Sequence, residues 1–287
     1  METIVAIDEL RARIAAWRRA GARIGFVPTM GNLHPGHFSL VDIARARADR
    51  VVASVFVNPT QFGPREDFAS YPRTLAQDQA GLVAHGCDLL FAPPVEAIYP
   101  YGAQASVRVD VPGISDILEG ALRNGHFAGV ATVVTKLFNL VQPDIAVFGQ
   151  KDYQQLLVIQ RLVRDLHLAI EIVPAPTLRE AHGLAMSSRN QYLSSDERER
   201  AGIIHHTLCG MRAALHAGQA HAAIETDARV ALAGAGLAPD YAVLRRAADL
   251  SEPDLSEPDA SARTGLIALI AAKLGRTRLI DNLITDL

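Results

Sequence analysis

The run Val51-Val-Ala-Ser-Val-Phe-Val57 constrains the fold more than any other stretch of this chain. It lacks the in–out alternation of a strand with one wet face and is rich in β-branched residues. It therefore reads as a central strand buried on both sides. Such a strand needs helices over both faces, and the neighbouring sequence supplies them. Ile24–Val27, Cys87–Ala92, Ile145–Phe148 and Ala169–Pro174 are further short apolar runs. Between them, Glu9–Ala20, Phe38–Asp49, Thr74–His85 and Gly129–Val141 carry helical apolar spacing, and Gly149-Gln-Lys-Asp opens a helix running to Arg164. Strands alternating with helices predict an α/β fold, a doubly wound parallel sheet with right-handed crossovers.

The character changes near residue 178, which predicts domains at 1–178 and 179–287. Past that point, Met186–Asn190 reads as a polar loop. Ser195 reads as the N-cap of a helix with Asp196 and Glu197 in its first turn. Alanine-rich helix follows, then short strands around Asp240–Leu244 and Leu266–Ala271, a small α+β domain. Ser251-Glu-Pro-Asp recurs as Ser256-Glu-Pro-Asp and reads as an exposed acidic loop.

A net charge of -3 argues against a broad nucleic-acid surface but leaves room for a small anionic ligand. The two cysteines, Cys87 and Cys209, stand in apolar surroundings without a C-x-x-C partner, so buried free thiols are expected. The acidic first residues carry no secretory pattern and no apolar run reaches spanning length, so a cytoplasmic protein without membrane contact is expected.

In doubly wound sheets ligands sit beyond the carboxyl ends of the strands. Three polar loops fall at that edge. The first is Pro28-Thr-Met-Gly-Asn-Leu-His34-Pro-Gly-His37, between a strand and a helix start. Backbone N–H groups and the positive dipole end attract phosphate there, and two histidines can donate to its oxygens. The rival reading is a histidine pair that merely satisfies local structure; the spacing matches neither zinc pattern. The second loop, Asn58-Pro-Thr-Gln61, offers neutral amides to a substrate bearing hydroxyls and a carboxylate, or satisfies its own backbone. The third is Gly149-Gln-Lys151-Asp152, where a lysine at a helix start meets phosphate as a point charge. Asp152 is a ligand contact or a helix-start acid, and Gln155 lies one turn beyond Lys151 on the same helix face. Ser187-Ser-Arg189 lies between the predicted domains, where hydroxyls and a guanidinium can close over a triphosphate or serve as an ordinary linker.

Read together, these motifs resemble the pantothenate synthetases, or pantoate–β-alanine ligases. The likeness runs through the 28–37 segment, Phe56-Val-Asn-Pro-Thr-Gln-Phe, Tyr71-Pro-Arg-Thr-Leu and Gly125-His-Phe-Ala-Gly-Val-Ala-Thr-Val-Val. It continues in Phe148-Gly-Gln-Lys-Asp-Tyr-Gln-Gln-Leu, Gly183-Leu-Ala-Met-Ser-Ser-Arg-Asn and Thr277-Arg-Leu-Ile-Asp-Asn. The resemblance implies a Rossmann-like domain of the HxGH nucleotidyltransferase type with a smaller α+β C-terminal domain covering the site. It implies a homodimer and Mg²⁺ accompanying ATP. The reaction implied joins D-pantoate to β-alanine through pantoyl adenylate, releasing pyrophosphate and then AMP.

Carried over by position, Met30, Gly31, Asn32, Leu33, His34, Pro35, Gly36 and His37 line the ATP site, with both histidines on phosphates and His37 the proton donor. Gly149, Gln150, Lys151 and Asp152 match an ATP-binding segment with Lys151 on phosphate. Leu178 matches a backbone contact to the nucleotide, and Met186, Ser187, Ser188 and Arg189 match the flexible phosphate loop. Gln61 and Gln155 match the pantoate glutamines, and Gln61 also a β-alanine contact. The likeness gives His34, His37, Lys151 and Arg189 the catalytic roles. The chain departs from the family at His182, usually acidic, at Asn124, usually proline, and at Pro35, usually acidic or polar. None of these removes a group assigned to the chemistry.

The runner-up is another nucleotidyltransferase of this type, acting on a phosphorylated acceptor. Gln61 and Gln155 argue against it, because a phosphate acceptor calls for cations. A tRNA synthetase would need a basic extension, and a non-catalytic nucleotide-binding module fits poorly with His34, His37, Lys151 and Arg189 all present.

Overall fold

A computed structural model describes residues 1–64, 66, 68–253 and 264–286. Asp254 and the second Ser-Glu-Pro-Asp, residues 256–259, lie outside the described residues. The chain divides into two compact units, residues 1–150 with 154–176, and residues 151–153 with 177–287.

The first unit is built on a six-stranded, all-parallel sheet. Its elements in chain order are β1 (Glu2–Ile4), α1 (Ile7–Arg19), β2 (Ile24–Thr29), α2 (Pro35–Arg45), β3 (Arg50–Val55), α3 (Leu75–Ala84), β4 (Leu89–Phe91), α4 (Val95–Ile98), α5 (Glu119–Leu122), α6 (His126–Val141), β5 (Ile145–Gly149), α7 (Tyr153–Asp165) and β6 (Glu171–Ala175). The strand order is β1-β4-β3-β2-β5-β6, so β3 and β2 are central, as the Val51–Val57 run requires. Ile24, Phe26, Val27, Val51, Val52, Ala53, Leu89, Leu90 and Ile145 are all buried, which uses both faces of each strand. On one face Phe26 and Phe148 each meet Phe138 of α6 edge-on at 6.3 Å between ring centroids. On the other, Leu40, Val41 and Ala44 of α2 pack down with Val147 and Val173. Because β2, β3 and β5 run parallel, the loops that follow Thr29, Val55 and Gly149 leave the sheet at one edge, as predicted.

Several expected boundaries shift. α2 begins at Pro35 rather than Phe38, because a proline suits the first helical turn and a cap precedes it. The helix after β5 begins at Tyr153, and Gln150–Asp152 form a separate 3-10 turn. Lys151 and Gln155 therefore do not share one continuous helix. The edge strand β1 was not expected.

The second unit holds α8 (Ser195–Ala201), α9 (Ile203–His216), α10 (His221–Gly234) and an antiparallel sheet of β7 (Ala238–Arg246), β8 (Leu266–Leu274) and β9 (Thr277–Ile284). Leu208, Met211 and Leu215 of α9 and Leu232 of α10 pack against Leu244, Ala268 and Ile270. The cap of α8 is Ser194, not Ser195. Its hydroxyl accepts from the Glu197 N–H at 3.2 Å, and the Glu197 carboxylate accepts from the Ser194 N–H at 2.9 Å. Cys87 is buried and free, and burial pushes its thiol up to about 11. Cys209 differs from expectation. It is only partly buried, with its sulfur 3.7 Å from His205 Nε2 on the preceding turn of α9.

Candidate active site

In the first unit the site begins where β2 ends. Thr29 Oγ1 donates to the Ser54 carbonyl at 2.7 Å and accepts from the Gly31 N–H at 3.2 Å. The chain then passes through left-handed conformations at Gly31 (φ 84°) and Asn32 (φ 52°). A Cβ on Gly31 would stand 2.9 Å from Val55 Cγ1, so both conformation and space demand glycine there. The turn is held from below by Asp78 of α3, which is buried. Its carboxylate accepts from the N–H groups of Asn32 at 3.0 Å and Leu33 at 2.8 Å, and from the Thr74 hydroxyl at 3.1 Å.

The histidine pair satisfies local structure. His34 is the N-cap of α2, its Nδ1 accepting from the Gly36 N–H at 3.1 Å, while His37 Nδ1 accepts from the His34 N–H at 3.4 Å. The rings lie side by side, 4.1 Å between centroids. With Nδ1 of each ring accepting, the neutral imidazoles carry their protons on Nε2. Capping thus sets the tautomer that donates from the far nitrogen.

Gln61 lies in a 3-10 turn, Pro59–Gln61, beyond β3. Its Oε1 accepts from Asn58 Nδ2 at 3.0 Å and its Nε2 lies 3.0 Å from Met30 Sδ, which joins this turn to the β2 loop. Asn58 follows the local reading. Its Oδ1 accepts from the Thr60 N–H and hydroxyl and from Tyr99 Oη, and its Nδ2 also reaches the Gly129 carbonyl. Burial raises the Tyr99 phenol above its ordinary value, which keeps it a donor. Gln155 is half-buried on α7, and its side chain makes no hydrogen bond among the described residues. The adjacent Gln154 is buried and fully engaged, with the Ile114 and Ile117 carbonyls and the Glu119 N–H.

A second chain of contacts supports Gln61 and was assigned no role from the sequence. His126, the first residue of α6, holds the Gln61 carbonyl through Nδ1 at 2.8 Å. Its Nε2 faces Arg123 Nη1 at 2.9 Å, and Arg123 grips Glu66 with two hydrogen bonds of 2.8 and 2.6 Å. Burial, then the Arg123 charge, push the imidazole down to about 4, so it is neutral with its proton on Nδ1. Burial opposes ionisation of Glu66, but the Arg123 hydrogen bond and charge outweigh it and hold the carboxyl below its usual range. The Gly125-His-Phe signature contained this residue; its partners, 65 positions away at Gln61 and 57 between Arg123 and Glu66, were invisible in one sequence.

Gly149 ends β5 and Gln150 opens the 3-10 turn, both still in the first unit; the second unit holds the remaining predicted residues. Lys151 and Asp152 sit in the 3-10 turn, Nζ to Oδ1 at 4.0 Å. The Leu178 carbonyl accepts from the Met186 N–H at 2.9 Å, and Arg179 bridges Ala185, so 178–186 is a tight hairpin. Ser187 Oγ accepts from the Arg189 N–H at 3.2 Å and caps a 3-10 turn over Ser188–Tyr192, where a plain loop was expected. Asn190 anchors that turn through Nδ2 to Glu180 and the Ala185 carbonyl, and Arg198 holds Glu180. His182, one of the departures from the family pattern, lies 3.8 Å from the same Glu180.

A parallel sheet whose first switch loop ends in a histidine-capped helix, with a glutamine turn beside it, defines a doubly wound α/β protein with polar loops gathered at its ligand-binding edge. The comparisons are specific. The Pantoate-beta-alanine ligase family matches residues 2–284. Pantothenate synthetases of Xylella fastidiosa (strain 9a5c) and Stenotrophomonas maltophilia (strain K279a) are each 56% identical over 283 residues, 99% of both chains. The crystal structure of pantothenate synthetase from Thermus thermophilus superposes with a TM-score of 0.91 at 46% identity, covering 99% of each chain. Pantoate-beta-alanine ligase from Francisella tularensis, complexed with beta-gamma ATP and beta-alanine, superposes at 0.81 with 33% identity, covering 99% and 98%. This chain belongs to the pantoate–β-alanine ligase family.

Proposed function

We propose that this chain condenses pantoate with β-alanine at the expense of ATP through a pantoyl adenylate. Family membership over residues 2–284 supports the ligase reaction. The observation that carries the adenylate route is the capped histidine pair at the carboxyl end of β2, whose protonated Nε2 atoms suit the phosphates of a nucleotide. A pantoate carboxylate oxygen attacks the α-phosphorus, the bond to the bridging oxygen breaks, and pyrophosphate departs. The β-alanine amine then attacks the acyl carbon, loses a proton, and AMP leaves with the electron pair of the broken C–O bond.

In this reading His34, His37, Lys151 and Arg189 offset charge growing on the phosphate oxygens. Met30–His37, Gly149–Asp152, Leu178 and Met186–Arg189 bind ATP, and Gln61 and Gln155 hold pantoate, with Gln61 also reaching β-alanine. The second step needs positioning more than a strong base, since the acyl group is already activated. Mg²⁺ bound to the nucleotide would neutralise phosphate charge. Among the described residues no three His, Cys, Asp or Glu side chains gather as a metal cage, which suits an ion held mainly by phosphate oxygens and water.

The same reading expects a cytoplasmic homodimer. No described helix is long and apolar enough to cross a membrane.

The test is pyrophosphate release from ATP and pantoate, with and without β-alanine, with mass detection of products. Pantothenate and AMP formed only with all three substrates support the reading. ATP binding without pantoate turnover refutes it. His37→Ala or Lys151→Ala is expected to lower adenylation about a hundred- to a thousandfold; pyrophosphate release at the wild-type rate would remove that residue from the chemistry.

A further inference from the structure

The terminal motif Thr277-Arg-Leu-Ile-Asp-Asn plays no part in the reading above, yet two of its polar side chains lie buried in the middle of β9, Asp281 4% and Asn282 7% exposed. Polar groups this deep are expected to have partners whose loss is costly. Asp281 takes Arg179 in a two-pronged ion pair, Oδ2 to Nη1 at 2.5 Å and Oδ1 to Nη2 at 3.0 Å. Arg179 Nη1 also donates to the Gly183 carbonyl at 3.1 Å. Asp281 therefore fixes Arg179, which in turn spans the 178–186 hairpin from which Met186–Arg189 emerge. Asn282 Nδ2 donates to the carbonyl of Lys151 at 2.8 Å, across 131 residues of sequence. Consecutive strand side chains point to opposite faces, so one dipeptide grips both segments at once. The contact also explains why residues 151–153 group with the second unit while their chain neighbours group with the first.

We propose that Asp281 and Asn282 are positioning residues that set Lys151 and the Ser187–Arg189 turn in register with each other for the phosphates of ATP. The proposal rests on the phosphate roles given above to Lys151 and Arg189. Neither β9 residue touches substrate in this account. Asn282 fixes the backbone from which Lys151 extends, and Asp281 fixes the root of the turn that carries Arg189. Pantoate is assigned to other residues, Gln61 and Gln155.

The decisive variant is Asn282→Asp, which keeps shape but sets an oxygen against the Lys151 carbonyl. Ionised, that oxygen repels; protonated, its O–H donates and restores the tether. Pantoate-dependent exchange between pyrophosphate and ATP is measured as the ratio of variant to wild type across pH. The expected ratio is about tenfold to a hundredfold below unity near neutrality, the effect of one lost buried hydrogen bond. It rises toward unity as pH falls through the carboxyl's titration. Asn282→Ala is expected to show the same deficit without acid recovery, with KM for ATP raised and KM for pantoate unchanged. A merely structural role would lower thermal stability in both variants and leave the ratio flat with pH. A flat ratio, or an unchanged KM for ATP in Asn282→Ala, overturns the proposal. Wild-type protein lacking pantoate-dependent exchange would refute the adenylate reading instead. Titration calorimetry of ATP with the same variants would then decide the positioning role, unchanged affinity overturning it.

Discussion

Replacing His126 by asparagine is expected to make the protein less sensitive to acid. The imidazole is 9% exposed and titrates near 4 in the folded chain, against 6.5 when unfolded. Between those values the unfolded chain binds one more proton than the folded one, so stability falls as pH drops through 6.5 and levels off below about 4. The slope is about 1.4 kcal/mol per pH unit, so the loss between about pH 7 and about pH 4.5 is roughly 2 kcal/mol from this group. Asparagine keeps an N–H for the Gln61 carbonyl but cannot take a proton. Glu66, held below its usual range, adds acid sensitivity of the same sign in both proteins, and because the His126 charge also bears on it, the difference between them reads the imidazole together with its coupling to Glu66. Urea titrations of both chains near neutrality and at about pH 4.5 read that difference directly as a change in midpoint. Parallel losses in the two proteins would refute the burial argument and the assignment of His126 as a neutral donor.

Asp78→Asn places an amide N–H against the N–H of Asn32 or Leu33, whichever way the amide turns. A cost of about 1.5–3 kcal/mol is expected. Calorimetry should find melting lowered by about 4–10 °C, with KM for ATP raised as the Gly31–His34 turn loosens; an unchanged melting point refutes the anchor. Gly129→Ala would place a Cβ 2.4 Å from the Thr60 carbonyl oxygen and 2.7 Å from the Gln61 nitrogen. Helix propensity alone predicts a gain of about 1 kcal/mol, whereas the clash predicts a loss of about 1–3 kcal/mol. The sign in a urea titration decides, and the clash should also weaken pantoate use.

The layered core was legible because its signal is local. Val51–Val57 and Ile145–Phe148 announce two-sided burial without reference to partners. β9 was missed for the opposite reason. Arg278, Asp281 and Asn282 break its apolar alternation, and only their partners explain why such residues sit in a strand. β1 is three residues long with two exposed, too short to carry a period. The Ser194 cap was readable from Ser-x-x-Glu spacing to Glu197, but two adjacent serines obscured it by one position. At the site, the loop residues stand out because glycine, proline and histidine cluster in sequence. Asp78, His126, Glu66 and Asn282 act across 46, 65, 57 and 131 positions respectively, distances at which a single chain carries no trace of pairing.

The allocation of residues 151–153 to the second unit has a practical meaning for anyone cutting this protein. A fragment ending at residue 176 would keep the whole parallel sheet, yet it would strand the Lys151 carbonyl without Asn282. It would also strand the Tyr153 hydroxyl, which donates to the Ala247 carbonyl at 2.9 Å. No single cleavage point separates the two units cleanly. Shuffling this C-terminal region between relatives should therefore carry residues 151–153 along with it, as a three-residue graft inside the other half.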